Sequence, residues 1–137
     1  IPLDKIKEIK LGSDFITDED TIIPNHFITK ENSSPFSYAY CSDTMYNENI
    51  LEVINSVTLL YHEATFLENR KDRAKQTYHS TAVDAALIAK KAKVKNLIIG
   101  HFSQRYSNGD QLLSESRQIF PRTQIALQGR IVDFSEL

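Results

Sequence analysis

Cysteine is almost missing from this 137-residue chain: Cys41 stands alone, and there is no tryptophan at all. A single thiol excludes an internal disulfide framework. Lying in the apolar run Tyr38-Ala39-Tyr40-Cys41, it reads as a small buried residue, compatible with a reducing cytoplasm. Glycine and proline number only four each, and neither an internal repeat nor a low-complexity segment is present, which excludes a repeat array. No apolar run approaches the length that crosses a bilayer, and no signal-peptide pattern opens the chain, so the expectation is of no membrane partner. Excess charge is missing too. Sixteen Lys and Arg against 18 Asp and Glu leave a net charge of −2, which excludes a uniformly basic surface; any contact with nucleic acid has to come from local patches. Histidine is also scarce: His26, His62, His79 and His101 are all there are, and no two form a His-x-His pair.

What remains is an ordinary soluble composition, 41% apolar and 25% charged, in a length that fits one domain with a modest core. Three polar residues close apolar runs. Asp43 follows Tyr38-Ala39-Tyr40-Cys41, His62 follows Leu59-Leu60-Tyr61, and His101 follows Leu97-Ile98-Ile99-Gly100. Each run reads as a buried strand leading through a polar stretch to a helix, the pattern of an α/β sheet. The carboxyl ends of such strands lie on one edge, where ligand sites form. Asp43, His62 and His101 are therefore expected to meet, with His79 entering from the start of a helix.

That helix is alanine-rich, Ala82 to Ala92, and Thr81 with Asp84 three residues on is a capping-box pattern. Free N–H groups at a helix amino terminus favour phosphate. His79 beside them suits a general acid or charge stabiliser for a phosphodiester, against the simpler reading of an ordinary capping region. Asp43 has a simpler reading as well, a turn former or helix cap, and His101 one as a strand-end histidine. His26, in an alternating stretch without partners, reads as a surface or strand residue.

Elsewhere the patterns give coarser expectations. Residues 1–12 form a short amphipathic helix carrying Lys5 and Lys7 and stopped by Gly12. An acidic turn, Asp18-Glu19-Asp20, precedes β-like runs at 21–23 and 26–29. Residues 31–35 are a polar turn cluster. Residues 47–57 read as a helix with Ile50, Leu51, Val53 and Ile54 inward. Residues 67–77 are the most basic stretch, with Arg70, Lys71, Arg73 and Lys75 against Glu68 and Asp72, and read either as a phosphate-contacting patch or as a solvated loop. A helix at 111–120 stops at Pro121, and strands are expected at 123–127 and 130–134 about Gln128-Gly129.

Four motifs, Ser42-Asp43-Thr44, His62-Glu63-Ala64-Thr65-Phe66, His79-Ser80-Thr81 and His101-Phe102-Ser103-Gln104-Arg105-Tyr106, stand in series. In order and spacing they resemble the second half of the ribonuclease Z family, tRNA 3′-processing endoribonucleases of the metallo-β-lactamase superfamily. The resemblance implies an α/β fold, the second βα half of the αβ/βα four-layer sandwich. Residues 1–30 would be the remnant of a tRNA-binding arm with return strands, and 31–137 the C-terminal half-domain. It implies two zinc ions per complete site, with Asp43 bridging them and His101 binding one. It implies catalytic roles for His79, Glu63 and His62, and substrate contacts from Arg73, Arg105, Lys5 and Lys7. Glu63 is either the acceptor that orients a histidine ring or part of a structural network beneath the site.

The activity implied is cytoplasmic removal of 3′ trailers from precursor tRNA, by attack of metal-activated water on a phosphodiester. The family's His-x-His-x-Asp-His motif and a further histidine are missing, and the chain opens on Ile1. The expectation is a segment of a longer enzyme that needs the N-terminal half as partner, binds zinc weakly and is inactive alone. The sheet face left uncovered points to a homodimer. Two other readings stand beside this one: a related phosphodiesterase or arylsulfatase-like hydrolase of the same fold, and a non-catalytic interaction domain on the same scaffold.

Overall fold

The computed structural model describes residues 1–30 and 35–137, which fall into two compact units, Ile1–Pro35 and Phe36–Leu137. The turn cluster expected at 31–35 lies almost wholly outside the described residues. Among those described, no helix is long and apolar enough to cross a membrane.

In the first unit a 3₁₀ turn, Leu3–Lys5, runs into helix α1 (Ile6–Lys10), which buries Ile9 and leaves Lys5, Lys7 and Lys10 exposed. Gly12 ends it at φ +103°, a conformation that favours glycine, with its N–H on the Ile9 carbonyl at 3.0 Å. Strands β1 (Phe15–Ile16) and β2 (Ile22–Ile23) pair antiparallel about the acidic turn, where Asp20 adopts φ +59°. The β-like run expected at 26–29 is instead a helical turn, α2 (Asn25–Ile28). Its backbone bonds are local, Phe27 N–H to Pro24 and Thr29 N–H to Asn25. The Asn25 amide is tied to the carbonyls of Ile9 and Ser13 at 2.7 and 2.8 Å, so polar anchoring overrides the alternation. His26 is exposed there, its ring 4.3 Å from that of Phe27.

The second unit is built on a parallel sheet in the order β3-β4-β5-β6. Its strands are β3 (Tyr38–Cys41), β4 (Leu59–Glu63), β5 (Asn96–Gly100) and β6 (Thr123–Ile125). Parallel strands require crossovers. Helices α3 (Lys71–Gln76) and α4 (Ala82–Lys91) lie between β4 and β5, and α5 (Asp110–Ile119) between β5 and β6. The stretch expected as a basic patch or loop thus contains a helix. Ala82, Ala85, Ala86 and Ala89 of α4 are fully buried and have no bulk to hold the helix off the sheet. Leu60, Leu97, Ile99, Ile88 and Leu112 fill the interface at 0% exposure. At roughly 25 cal/mol per Å² of apolar surface removed from water, this face dominates the unit's stability.

The expected helix at 47–57 is only a 3₁₀ turn, Glu48–Ile50, followed by successive turns, and Val53 is 84% exposed rather than inward. β-branched residues and asparagines disfavour a helix here; Asn47 caps Asn49 instead, and Ser56 at φ +58° turns the chain. Lys91 of α4 grips Glu48 and Tyr46, tethering this crossover. The strand expected at 130–134 does not form either. Gly129 at φ +78° and a bond from Arg130 N–H to the Leu127 carbonyl turn the chain away from β6. Phe134, in a 3₁₀ turn capped by Asp133, packs on Phe36 and Tyr38 at ring separations of 5.6 and 6.4 Å. Apolar content there serves packing, not pairing.

Gly100 ends β5 where a Cβ would lie 2.6 Å from the Tyr61 hydroxyl and 3.1 Å from Ala126 Cβ. Tyr61 is itself stacked on Tyr40 at 4.5 Å. Gly100→Ala is expected to destabilise the chain by about 1–3 kcal/mol through overpacking, read as a lower urea midpoint. Tyr61→Phe in the same background should recover part of the loss, because it removes the nearest atom.

Candidate metal centre

Four side chains converge at the carboxyl edge of the sheet. Asp43 comes from just beyond β3, Glu63 from the last position of β4, His79 from the segment entering α4, and His101 from just beyond β5. Each offers one ligand atom, and these atoms lie within 4.8 Å of one another. Of the two members just beyond their strands, His101 Nε2 lies 3.1 Å from Asp43 Oδ1. Both residues sit in left-handed backbone, Asp43 at φ +50° and His101 at φ +60°, and Tyr78 at φ +58° delivers His79. Asp and His tolerate this region better than most residues. The turn swings each side chain off its strand toward the common edge.

Glu63 is the buried member. Its Oε1 accepts from the Thr44 N–H at 2.9 Å and from His79 Nδ1 at 2.7 Å. Its Oε2 accepts from the Thr65 hydroxyl at 2.6 Å, the Ser80 N–H at 3.1 Å and the Thr65 N–H at 3.3 Å. The side chain is 0% exposed, against 24% for His79, 42% for His101 and 72% for Asp43. The carboxylate thus joins the three motifs bearing Thr44, Thr65 and Ser80. The Ser80 hydroxyl adds a bond to the Thr44 carbonyl at 2.6 Å, and a bridge between Phe66 and Thr81 ties the His79 segment to the end of β4. The capping box is present: Thr81 accepts from the Asp84 N–H, and Asp84 accepts from the Thr81 N–H, both at 3.1 Å.

The structure brings together Asp43, His101, His79 and Glu63, but His62 does not join them. Successive side chains of a strand point to opposite faces, so placing Glu63 at the site sends His62 to the helix-covered face with Leu60. There His62 is fully buried; its Nδ1 lies 2.8 Å from the Glu63 carbonyl and its Nε2 has no partner among the described residues. Burial in these surroundings pushes its pKa below the ordinary 6.5. Arg105 is exposed at the margin, its guanidinium 5.3 Å from the Phe66 ring centroid and bonded to the Ser103 hydroxyl at 3.0 Å. Arg73 lies exposed on α3. Lys5 and Lys7 belong to the first unit, where Lys5 pairs with Glu8 at 3.7 Å across the exposed surface. Sequence reasoning gave no part to Thr65. Its position two residues after Glu63, on the same side of the chain, was the available signal.

The parallel sheet with its helices is a fold shared with solved structures. The metallo-β-lactamase fold protein YhfI of Bacillus subtilis superimposes with a TM-score of 0.63 at 23% identity, covering 69% of this chain and 38% of that one. A long form RNase Z from yeast gives 0.58 at 27%, covering 72% and 13%. This unit accordingly takes part of the metallo-β-lactamase fold. No protein-family model matches the chain, but curated relatives do. Ribonuclease Z of Bacteroides thetaiotaomicron is 46% identical over 132 residues, 96% of this chain and 42% of that protein. Ribonuclease Z of Parabacteroides distasonis is 49% identical over 129 residues, 94% and 42%. The chain thus matches ribonuclease Z proteins over nearly all of its own length and spans about two-fifths of theirs.

A histidine buried neutral makes stability depend on pH. Because the folded pKa of His62 is depressed, the unfolded chain binds more protons at acid pH. Stability is then full above the unfolded value and falls as pH drops toward the folded one. Urea midpoints are expected to fall between about pH 7.5 and about pH 5.5. His62→Asn, which can still donate to the Glu63 carbonyl but does not titrate, should show a shallower fall. An equal slope in both proteins would assign the effect to other groups.

Proposed function

We propose that this chain is the C-terminal half of a zinc-dependent endoribonuclease of the ribonuclease Z type, removing 3′ trailers from precursor tRNA. The observation that carries this is the opposition of His101 Nε2 and Asp43 Oδ1 at 3.1 Å, beside a histidine tethered to a buried carboxylate, in a chain that matches ribonuclease Z proteins over nearly all of its length. An imidazole nitrogen and a carboxylate oxygen suit a divalent cation, zinc among them. Asp43 and His101 would hold it, Asp43 having a second oxygen for a second ion. A bound metal supplies a Lewis acid and lowers the pKa of water near it.

The protein's own contribution is orientation and proton delivery. Glu63 accepts from His79 Nδ1, so that in the imidazolium form the ring's second proton, on Nε2, can pass to the 3′ oxygen as that oxygen departs from phosphorus, leaving a neutral ring. Of the N–H groups opening α4, those of Ala82 and Asp84 are taken by the Phe66 carbonyl and the Thr81 hydroxyl, so phosphate recognition falls to His79 and the cationic side chains. Arg105 and Arg73 supply cationic contacts to the RNA backbone, and Lys5 and Lys7, in residues 1–30, contact it from a remnant of the tRNA-binding arm. A catalytic zinc takes about three protein ligands, so two here require more from an N-terminal half. The open sheet face, where Tyr38 is 54% and Tyr40 63% exposed, is the surface against which that half packs. The assembled enzyme is read as a cytoplasmic homodimer.

In a full-length enzyme carrying this chain, Asp43→Ala and His101→Ala should lower zinc per chain and cleavage together. His79→Ala should keep the metal and slow precursor tRNA cleavage about 10²–10⁴-fold. Elemental analysis with a single-turnover assay separates these effects; undiminished cleavage by His79→Ala would overturn its role. The 137-residue chain alone should carry little zinc and cleave nothing. With its tyrosine face uncovered it should self-associate in sedimentation runs, and Tyr40→Lys should shift it toward monomer.

A further inference from the structure

We propose that Thr65 is the positioning residue that fixes the tautomer of His101, placing the ring proton on Nδ1 and leaving Nε2 free to bind a cation. This rests on the reading of His101 as a metal ligand and adds to it how the ligand atom is chosen. The Thr65 hydroxyl oxygen has three polar neighbours: Glu63 Oε2 at 2.6 Å, His101 Nδ1 at 2.9 Å and the His101 carbonyl oxygen at 3.0 Å. A hydroxyl has one proton and two lone pairs. The His101 carbonyl can only accept, and Glu63 Oε2 already accepts two backbone N–H groups, from Ser80 and Thr65 itself.

At 2.6 Å, two oxygens without a proton between them repel, so the hydroxyl proton goes to Glu63, the nearest acceptor. No proton is left for Nδ1. That nitrogen must therefore supply its own, donating to a lone pair of the Thr65 oxygen. With the proton on Nδ1, a neutral ring turns the Nε2 lone pair toward Asp43 Oδ1, 3.1 Å away. Two electron-rich atoms facing at that distance call for positive charge between them. The threonine thereby couples His101 to the same carboxylate that holds His79, and one buried group sets both rings.

The mutual geometry separates this from simple packing. Thr65 is 6% exposed, and valine matches its shape while removing the donor and acceptor. Long-range ¹H–¹⁵N correlation spectra of the histidine-labelled chain, without metal and followed upward in pH until the ring signals stop moving, report which ring nitrogen carries the proton. We expect Nδ1–H for His101 in the parent protein and in Thr65→Ser, and a shift toward Nε2–H in Thr65→Val. In a full-length enzyme carrying this chain, zinc affinity titrated calorimetrically should fall about 10- to 100-fold in Thr65→Val, the usual effect of removing a group that supports a ligand, and return in Thr65→Ser. An Nε2–H ring in the parent protein overturns the proposal whether or not the valine variant folds. So does an unchanged tautomer in folded Thr65→Val. If His101→Ala leaves zinc affinity unaltered, it is the metal-ligand reading that fails, whatever the tautomer shows.

Discussion

The buried carboxylate of Glu63 is the constraint on which the rest of this site depends. Taking a carboxylate out of water costs several kcal/mol unless its oxygens are met by donors. Here three backbone N–H groups, a hydroxyl and an imidazole meet them. Those donors belong to three separate segments, after β3, after β4 and before α4. Satisfying one charge therefore requires three segments to be in place together. The site is rigid for the same reason that Glu63 is tolerable inside the protein.

Around that anchor the sheet does the coarse positioning. Parallel strands bring their carboxyl ends to one edge, and β3, β4 and β5 pair in register from Cys41 through His62 to Ile99. The close packing of alanine-rich α4 on this sheet sets the depth at which His79 enters. Left-handed backbone at Asp43 and His101 then turns both side chains toward each other. Such conformations persist only where their surroundings over-determine them; here the hydrogen bonds of Thr44 and Thr65 to Glu63 do so.

The donor set is small for a catalytic metal, in keeping with a chain that spans about two-fifths of its ribonuclease Z relatives. One face is covered by α4 and α5, while the other leaves Tyr38 and Tyr40 exposed, with the partly buried Tyr61 pushed up to about 12 in pKa by burial and neighbouring tyrosines. Both features fit the proposal that a further half completes the metal site and the sheet together.

Much of this was legible in the residues. Apolar runs ending in Asp43 and His101 announced strands and an edge, Thr81 and Asp84 announced a helix start, and the alanines of 82–92 announced close packing, because these signals are local. Propensity failed where local patterns were weak: at 47–57, at 26–29 and at 130–134, polar anchors or aromatic contacts decided the backbone. The adjacent pair His62-Glu63 shows the limit most clearly. Their order determined that they face opposite ways, but which one faces the site depends on the register of β4 and on which face the helices cover. Motif alone carried the resemblance to ribonuclease Z, and residue type determined the kinds of ligand atom available. Only the tertiary structure decided that Glu63 rather than His62 joins the site, and that Thr65 stands between it and His101, because hydrogen-bond partners 36 residues apart meet only after folding.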